Sequence, residues 1–361
     1  PYDPQELIYK DMLKELKEAS DSLSAANPKQ IAGQDIVYND DISLWKKFAN
    51  SLRLRLAMRL TQVDPQLAQQ NAEEAAAGGL ISDPSEACIV KRSLSYGWGN
   101  DYQYTYYYGW GSEGLSRSME NLLTGLGGQP FPNPPAGAIV DDPGMPLPPG
   151  NENPLDPNAN KFKVGIPGKV DPRGPIYFEP SSDESGANSA AVVNGITVDA
   201  RNRWHGTPAG LSATAAGKQE YQIGNQARMG AKFSKDHERG YEIITYHEVC
   251  FLLAEAAQRG WNVGGDAQTW YEKGISASMK WMGVADPTIA AYLASTDQNT
   301  YGTTVKWGNN SGKTFLGNPV DDPMSKIITQ KYIGLFPDGG WEAWADHRRL
   351  HLPILIPFAA P

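Results

Sequence analysis

The stretch Leu44–Leu60, reading LWKKFANSLRLRLAMRL, constrains this chain more than any other. At 3.6 residues per turn it places Trp45, Phe48, Ala49, Leu52, Leu56 and Leu60 on one stripe, while Leu54 and Met58 project from the opposite side. The helix it predicts is therefore packed on two faces. Arg59 falls inside the apolar stripe, and Arg53 and Arg55 lie along its borders. A guanidinium cannot shed its charge by losing a proton, so an arginine there needs a carboxylate partner elsewhere in the chain. A basic amphipathic helix lying on a membrane or a nucleic acid keeps its charges together on one exposed face, which these arginines do not.

Taken in order, the chain predicts helices at both ends and an irregular middle. Asp3 as an N-cap, Pro4 at the first helical position and Glu6 completing a capping box open a first helix, with Ile8, Met12, Leu16, Ala19 and Leu23 at helical spacing up to Asn27–Pro28. A short extended piece over Asp35–Tyr38 leads to the central helix, capped by Ser43. Asp64–Pro65 starts a small-residue helix that ends at Gly78–Gly79. From Tyr96 to Trp110 aromatic residues alternate with polar ones at strand period, and a short helix follows over Ser116–Leu126. Residues 129–175 hold 13 of the 27 prolines and read as a long surface excursion, and 176–240 stay loop-rich. Helices return over Glu242–Arg259, Trp270–Met282, Ile327–Phe336 and Trp341–Leu350. This is an all-α, mostly helical fold in a single domain over 1–361: helical over 1–95, a loop-rich excursion over 96–240, helical again over 241–361.

Charge narrows the partners. A formal charge of −9 argues against nucleic acid, and no apolar run approaches the roughly 18 residues of a membrane span. Charged residues make up only 20% while Tyr, Trp, Gly and Pro are plentiful, the balance of an extracellular protein with long ordered loops. Two cysteines, Cys88 and Cys250, are too few for a disulfide framework or a four-cysteine zinc site, and whether they pair is not legible. The chain opens on Pro1 without a signal peptide and is read as a processed or truncated piece.

Several constellations bear on chemistry. Glu248 and Glu255 share a helix face with Ile244, Phe251 and Leu252, the pattern of an acid–base pair for glycoside hydrolysis. Their backbones lie ~10.5 Å apart along the helix axis, and Arg53, Arg55 and Arg59 need partners; Glu248 or Glu255 is expected to pair with one of them in a buried structural ion pair. His347 and His351 have the spacing of a metal pair but lack a third ligand, and no metal or cofactor is expected. His247–Glu248 lacks a second histidine, Gly312–Lys313–Thr314 lacks the leading glycine of a phosphate loop, and Asp156, Asn158 and Asn160 lack the glycine and glutamate of a calcium loop. The aromatic stretch is richer. Trp98, Tyr102, Tyr104, Tyr106, Tyr107, Tyr108 and Trp110 offer more aromatic surface than one short strand needs, and sugar rings have apolar CH faces and polar edges that suit such side chains. Trp98, Tyr102, Tyr104, Tyr106, Tyr107 and Trp110 are the candidate ligand contacts, with Trp204 and His205 as a second pair.

The run Trp45–Ala57 resembles the signature helix of the SusD/RagB family. So do Tyr2–Asp3 through Tyr9, Asp171–Pro172–Arg173, Trp204–His205–Gly206–Thr207–Pro208–Ala209–Gly210, Ile244–Ala256 with Arg259–Gly260–Trp261, Tyr271–Ile275, Thr329–Tyr332, and Trp341–Trp344 with Arg348–Arg349 and Pro353. The resemblance implies tetratricopeptide-like helical units with a loop-rich binding face, on a cell-surface lipoprotein of Bacteroidetes-type outer membranes. It implies capture of nutrients, mainly glycans, without chemistry, and a SusC-like TonB-dependent barrel as partner. The membrane is reached only through a lipid anchor absent from this chain, and both ends look incomplete beside the family pattern. Two other readings stand beside it: a glycoside hydrolase using the carboxylate pair, and a helical-repeat scaffold binding protein or peptide.

Overall fold

A computed structural model describes residues 2–23, 33–96, 114–141, 145–146, 161–162, 165–181, 190–193, 196–199, 203–208, 226–236, 238–314 and 316–355. Its longer helices are α1 Gln5–Ser22, α2 Ile42–Arg59, α3 Pro65–Ala77, α4 Arg117–Leu123, α5 Tyr246–Gln258, α6 Ala267–Met282, α7 Asp286–Ala294, α8 Pro323–Gly334 and α9 Gly340–Leu350. Among the described residues the strands are short and pair two at a time. The fold is mostly helical, and the chain divides into two compact units. One comprises 1–93, 240–281 and 323–353; the other comprises 94–239, 282–322 and 354–361.

In the first unit α2 is the central element. It packs between α1 and α3 and also meets α5 and α9. Leu54, Ala57 and Met58 are buried as fully as Leu56 and Leu60 on the other side, so both faces contribute to the core. Burial of each large side chain stabilises the unit by about 1.5–3 kcal/mol. The helix is capped by Asp41, whose carboxylate accepts from the Ser43 and Leu44 N–H groups, rather than by Ser43 as the sequence predicts. Asp35–Tyr38 is a turn and not an extended piece. The Asp35 carboxylate accepts from the Val37, Tyr38 and Asp40 amides and from Trp45 Nε1, and one side chain with four donors holds a turn where four residues alone suggest a strand. In α3, Ala68, Ala72 and Ala75 are completely buried and let the helix approach α2 closely; Asp64 caps it as the sequence predicts.

Two further boundaries differ from the sequence reading. At α1 the N-cap is Pro4, with no side-chain cap, and Glu6 instead meets Lys10. The face that α1 buries centres on Leu13, so Ile8 is left exposed and Tyr9, Met12 and Leu16 pack against the core. Residues 242–244 are strand rather than helix: Tyr241–Ile244 pairs antiparallel with Cys88–Val90, and Thr245 caps α5 by accepting from the Glu248 amide at 3.4 Å. A Thr–x–x–Glu sequence at a helix start gives that boundary a physical cause.

In the second unit, loops dominate and helices are minor. Ser116 caps α4 at 3.2 Å to the Met119 amide. The buried side chains of this unit include Leu115, Leu122, Leu123, Leu126, Phe131, Ile166, Val170, Tyr177, Phe178, Trp204, Met229 and Phe233. The described parts of the proline-rich region are anchored by isolated bridges, Thr124 to Val170 and Pro130 to Lys169, so its two ends fold back on each other. A helix unforeseen in the sequence, α7, turns Tyr292 inward against Gly127. That glycine has φ +76°, and a Cβ there would lie 1.9 Å from the Tyr292 ring.

Candidate functional site

The richest of the sequence-predicted ligand contacts, Trp98, Tyr102, Tyr104, Tyr106, Tyr107 and Trp110, lie outside the described residues. Trp204 and His205 are described, and both are buried. Trp204 has no exposed surface, donates Nε1–H to the Phe178 carbonyl at 2.8 Å and meets Phe131 edge-on at 5.9 Å. His205 Nδ1 sits 2.5 Å from Glu120 Oε1, while Glu120 Oε2 accepts from the Gly206 amide at 2.8 Å and lies 3.1 Å from Arg117 Nε. A carboxylate can only accept, so the imidazole carries its proton on Nδ1. Burial opposes the Glu120 charge, but His205 and Arg117 prevail and hold its pKa down at about 2. Burial also pushes His205 down to about 4 against the pull of Glu120, so the ring is neutral at pH 7. Neither Trp204 nor His205 offers a face to a ligand in solution. Gly206 follows from the same packing, because a Cβ there would lie 2.3 Å from the Ser116 carbonyl carbon.

A second buried knot in this unit ties Asp171 to Arg173, with Nη2 2.7 Å from Oδ2, and Oδ1 accepting from both the Arg173 amide and Nε. Tyr292 donates to the same carboxylate. Burial works against the Arg173 charge, yet Asp171 raises its pKa above the ordinary arginine value.

In the first unit, Arg55 donates from Nε and Nη2 to the two oxygens of Glu248, each at 2.7 Å, and both side chains are buried. It also reaches the Ile243 carbonyl, and Glu342 lies 3.7 Å from Nη1. Glu255 meets none of the three arginines on α2. Its partners are Arg349, through both carboxylate oxygens, and Arg259. Arg53 instead pairs with Glu74 and Asn71, both on α3, and Arg59 pairs with Glu342 on α9. Glu342, Arg349, Glu74 and Glu120 are thus partners that the sequence reading did not assign. Their signal was present for α9, where Trp341–Glu342–Ala343–Trp344 and Arg348–Arg349 stand in the family-like run, but a pattern of that kind does not say which way a helix turns.

The calcium-loop-like Asp156, Asn158 and Asn160 lie outside the described residues, and the other motifs are taken up by internal contacts. His347 Nδ1 contacts the Pro353 carbonyl at 3.2 Å, and among the described residues no three His, Cys, Asp or Glu side chains are placed to hold a metal. The Gly312 amide points at Asp321 Oδ2 at 3.2 Å, so the phosphate-loop-like stretch is filled by a carboxylate. Cys88 and Cys250 are free and buried, and burial raises their thiols to about 11 and about 12. Among the described residues no helix is long and apolar enough to cross a membrane.

Residues 1–129 match a family model described as SusD and RagB outer membrane lipoprotein, and residues 164–361, more than half of the chain, match one described as starch-binding and associating with the outer membrane. The chain belongs to the SusD/RagB family. A SusD homologue from Parabacteroides distasonis is 32% identical, with a TM-score of 0.78, over 98% of this chain and 62% of its own. A chitin-binding SusD homologue from Flavobacterium johnsoniae is 26% identical over 99% of this chain and 62% of its own, with a TM-score of 0.67. One from Bacteroides ovatus is 25% identical over 100% and 63%, at 0.66. This SusD-like chain therefore spans a little over three-fifths of the length of these solved relatives. No curated protein sequence matches it. The helical fold expected from the resemblance is the fold observed, and the family is one of outer-membrane lipoproteins.

Proposed function

We propose that this SusD-like chain is the capturing portion of a cell-surface lipoprotein that binds oligosaccharide and delivers it to a SusC-like TonB-dependent transporter. The observation that carries the reading is the aromatic density between Trp98 and Trp110, in a chain whose family model is described as starch-binding. Indole and phenol rings stack on the CH faces of pyranoses while their N–H and O–H groups meet the hydroxyls. The Flavobacterium relative, described as chitin-binding, supports a glycan as the ligand class. A capture role without catalysis is supported by Glu248 and Glu255. Each is engaged by an arginine, Glu248 by Arg55 and Glu255 by Arg349, and both side chains are almost fully buried.

Isothermal titration with starch- and chitin-derived oligosaccharides tests the reading. Alanine at Trp98 and Trp110 is expected to weaken binding at least tenfold with the ligand recovered intact; unchanged affinity, or turnover of the sugar, overturns it. Co-purification of the native lipoprotein with a large outer-membrane barrel tests the delivery step.

A further inference from the structure

The helix α9 is amphipathic in an inverted sense. Its inward positions are Ala343 and Asp346, whereas its two indoles face solvent: Trp341 is 77% exposed and Trp344 54%. Among the described residues these are the only exposed tryptophans. Core packing would place the large rings inside and the alanine outside, and the described residues do not cover these rings.

The two rings are organised. Their centroids lie 6.3 Å apart with planes at 88°, which forms a right-angled aromatic corner. Arg348, one turn further along the same face, holds its guanidinium carbon 4.9 Å from the centre of the Trp344 ring. Its neighbour Arg349 turns inward to Glu255 and Asp346, but no carboxylate pairs with Arg348 among the described residues. Stacking on the indole orders the guanidinium while its N–H edge stays available. Beside Trp341 opens a cavity of about 140 Å³ rimmed by Glu242, Asp338 and Glu342, with the Arg55–Glu248 pair on its wall, so that carboxylates outnumber cations there. That end of the helix is acidic, and the Arg348 end is cationic.

We propose that the outer face of α9 is a second saccharide site, selective for a sugar that carries a carboxylate. The pyranose CH face stacks in the Trp341–Trp344 corner, the carboxylate pairs with Arg348, and neutral hydroxyls point toward the cavity rim. The acidic rim rejects the opposite orientation. An indole pair alone accepts any pyranose; the unpaired planar guanidinium adds the preference, because it matches a carboxylate through two parallel hydrogen bonds. This site is separate from the aromatic stretch over 98–110 and stands or falls without it.

The test is calorimetric titration of the intact chain with tetragalacturonate, tetramannuronate and sialyllactose, alongside maltotetraose as a neutral control. All three positions to be changed are at the surface, and far-UV circular dichroism with a melting curve verifies the fold of each variant. Expected is binding of at least one acidic sugar, weakened about tenfold by Trp341→Ala or Trp344→Ala and by Arg348→Gln, and less by Arg348→Lys. Maltotetraose affinity is expected to stay the same in Arg348→Gln, so loss of neutral-glycan binding after changes at Trp98 and Trp110 leaves this site untouched. Absence of binding to all three acidic sugars overturns the proposal. So does acidic-sugar affinity that is unchanged in Trp344→Ala and Arg348→Gln, and so does loss of binding to anionic phospholipid vesicles in those variants with no loss for the sugars.

Discussion

In the helical unit the buried carboxylate of Glu248 accepts from a guanidinium on another helix, 193 residues away in sequence. In the loop-rich unit the buried carboxylate of Glu120 accepts from His205 and also from the backbone amide of Gly206, as Asp171 accepts from the Arg173 amide. Asn299 does the same for the Tyr301 and Thr303 amides, and Asp321 for Thr304. The contrast has a simple cause. A helix satisfies its own backbone, so its buried ionised groups are available to join one helix to the next. A loop cannot satisfy its own backbone, and a buried loop needs acceptors supplied by side chains. In the first unit the buried ion pairs join helices that pack together; in the second the buried polar side chains supply the acceptors that irregular backbone needs.

Three measurements press on that contrast. The largest effect is expected for Glu248→Ala, which strands Arg55 in the interior. Loss of one partner of a buried pair costs about 3–5 kcal/mol, read in a urea titration, and amide exchange is expected to accelerate along α2 and α5 together. Exchange that quickens only near residue 248 breaks the view that this pair joins helices.

In the loop-rich unit, acid is the sharper probe. His205 is held near 4 in the folded chain against an ordinary 6.5, so between those values the unfolded chain takes up a proton that the folded chain refuses. Stability is present above pH 6.5 and falls as the pH drops through that window, by roughly 3 kcal/mol at most, at 1.36 kcal/mol per unit. Glu120, held near 2 against 4.5, extends the fall to lower pH. Melting temperatures followed from pH 7 to pH 4 are expected to decline less in His205→Asn; an identical slope removes His205 from the account.

The smallest of the three effects is for Gly206→Ala. Its Cβ would lie 2.4 Å from the Ser116 carbonyl oxygen, a backbone atom that cannot swing away, and overpacking of this kind costs about 1–3 kcal/mol. The expected signature is loss of exchange protection at Arg117 and Thr207, whose amides lie in the adjoining bridge, with α2 unaffected.

Much of the helical unit is legible in the sequence because its cause is local. The period of Leu44–Leu60, the Asp64–Pro65 start and the Gly78–Gly79 stop each act within a few residues of themselves. The strand over Tyr241–Ile244 is less so: four residues at the head of an apolar run become a strand only because Cys88–Val90 lies alongside. For candidate binding residues the sequence is weakest, since an aromatic side chain reads the same inside and outside. Trp204 and His205, read as a ligand pair, are interior supports for Phe178 and Glu120. Trp341 and Trp344 stand in the solvent.

The sequence by itself determined the family, the helical ends, the irregular middle and the need for carboxylates opposite the arginines of α2, because periodicity, capping and an undischargeable guanidinium are properties of short stretches. Only the tertiary structure decided that Arg55 takes Glu248, Arg53 takes Glu74 and Arg59 takes Glu342, while Glu255 goes to Arg349. Every one of those acids was equally available along the chain. Which charge meets which is settled by how the helices pack.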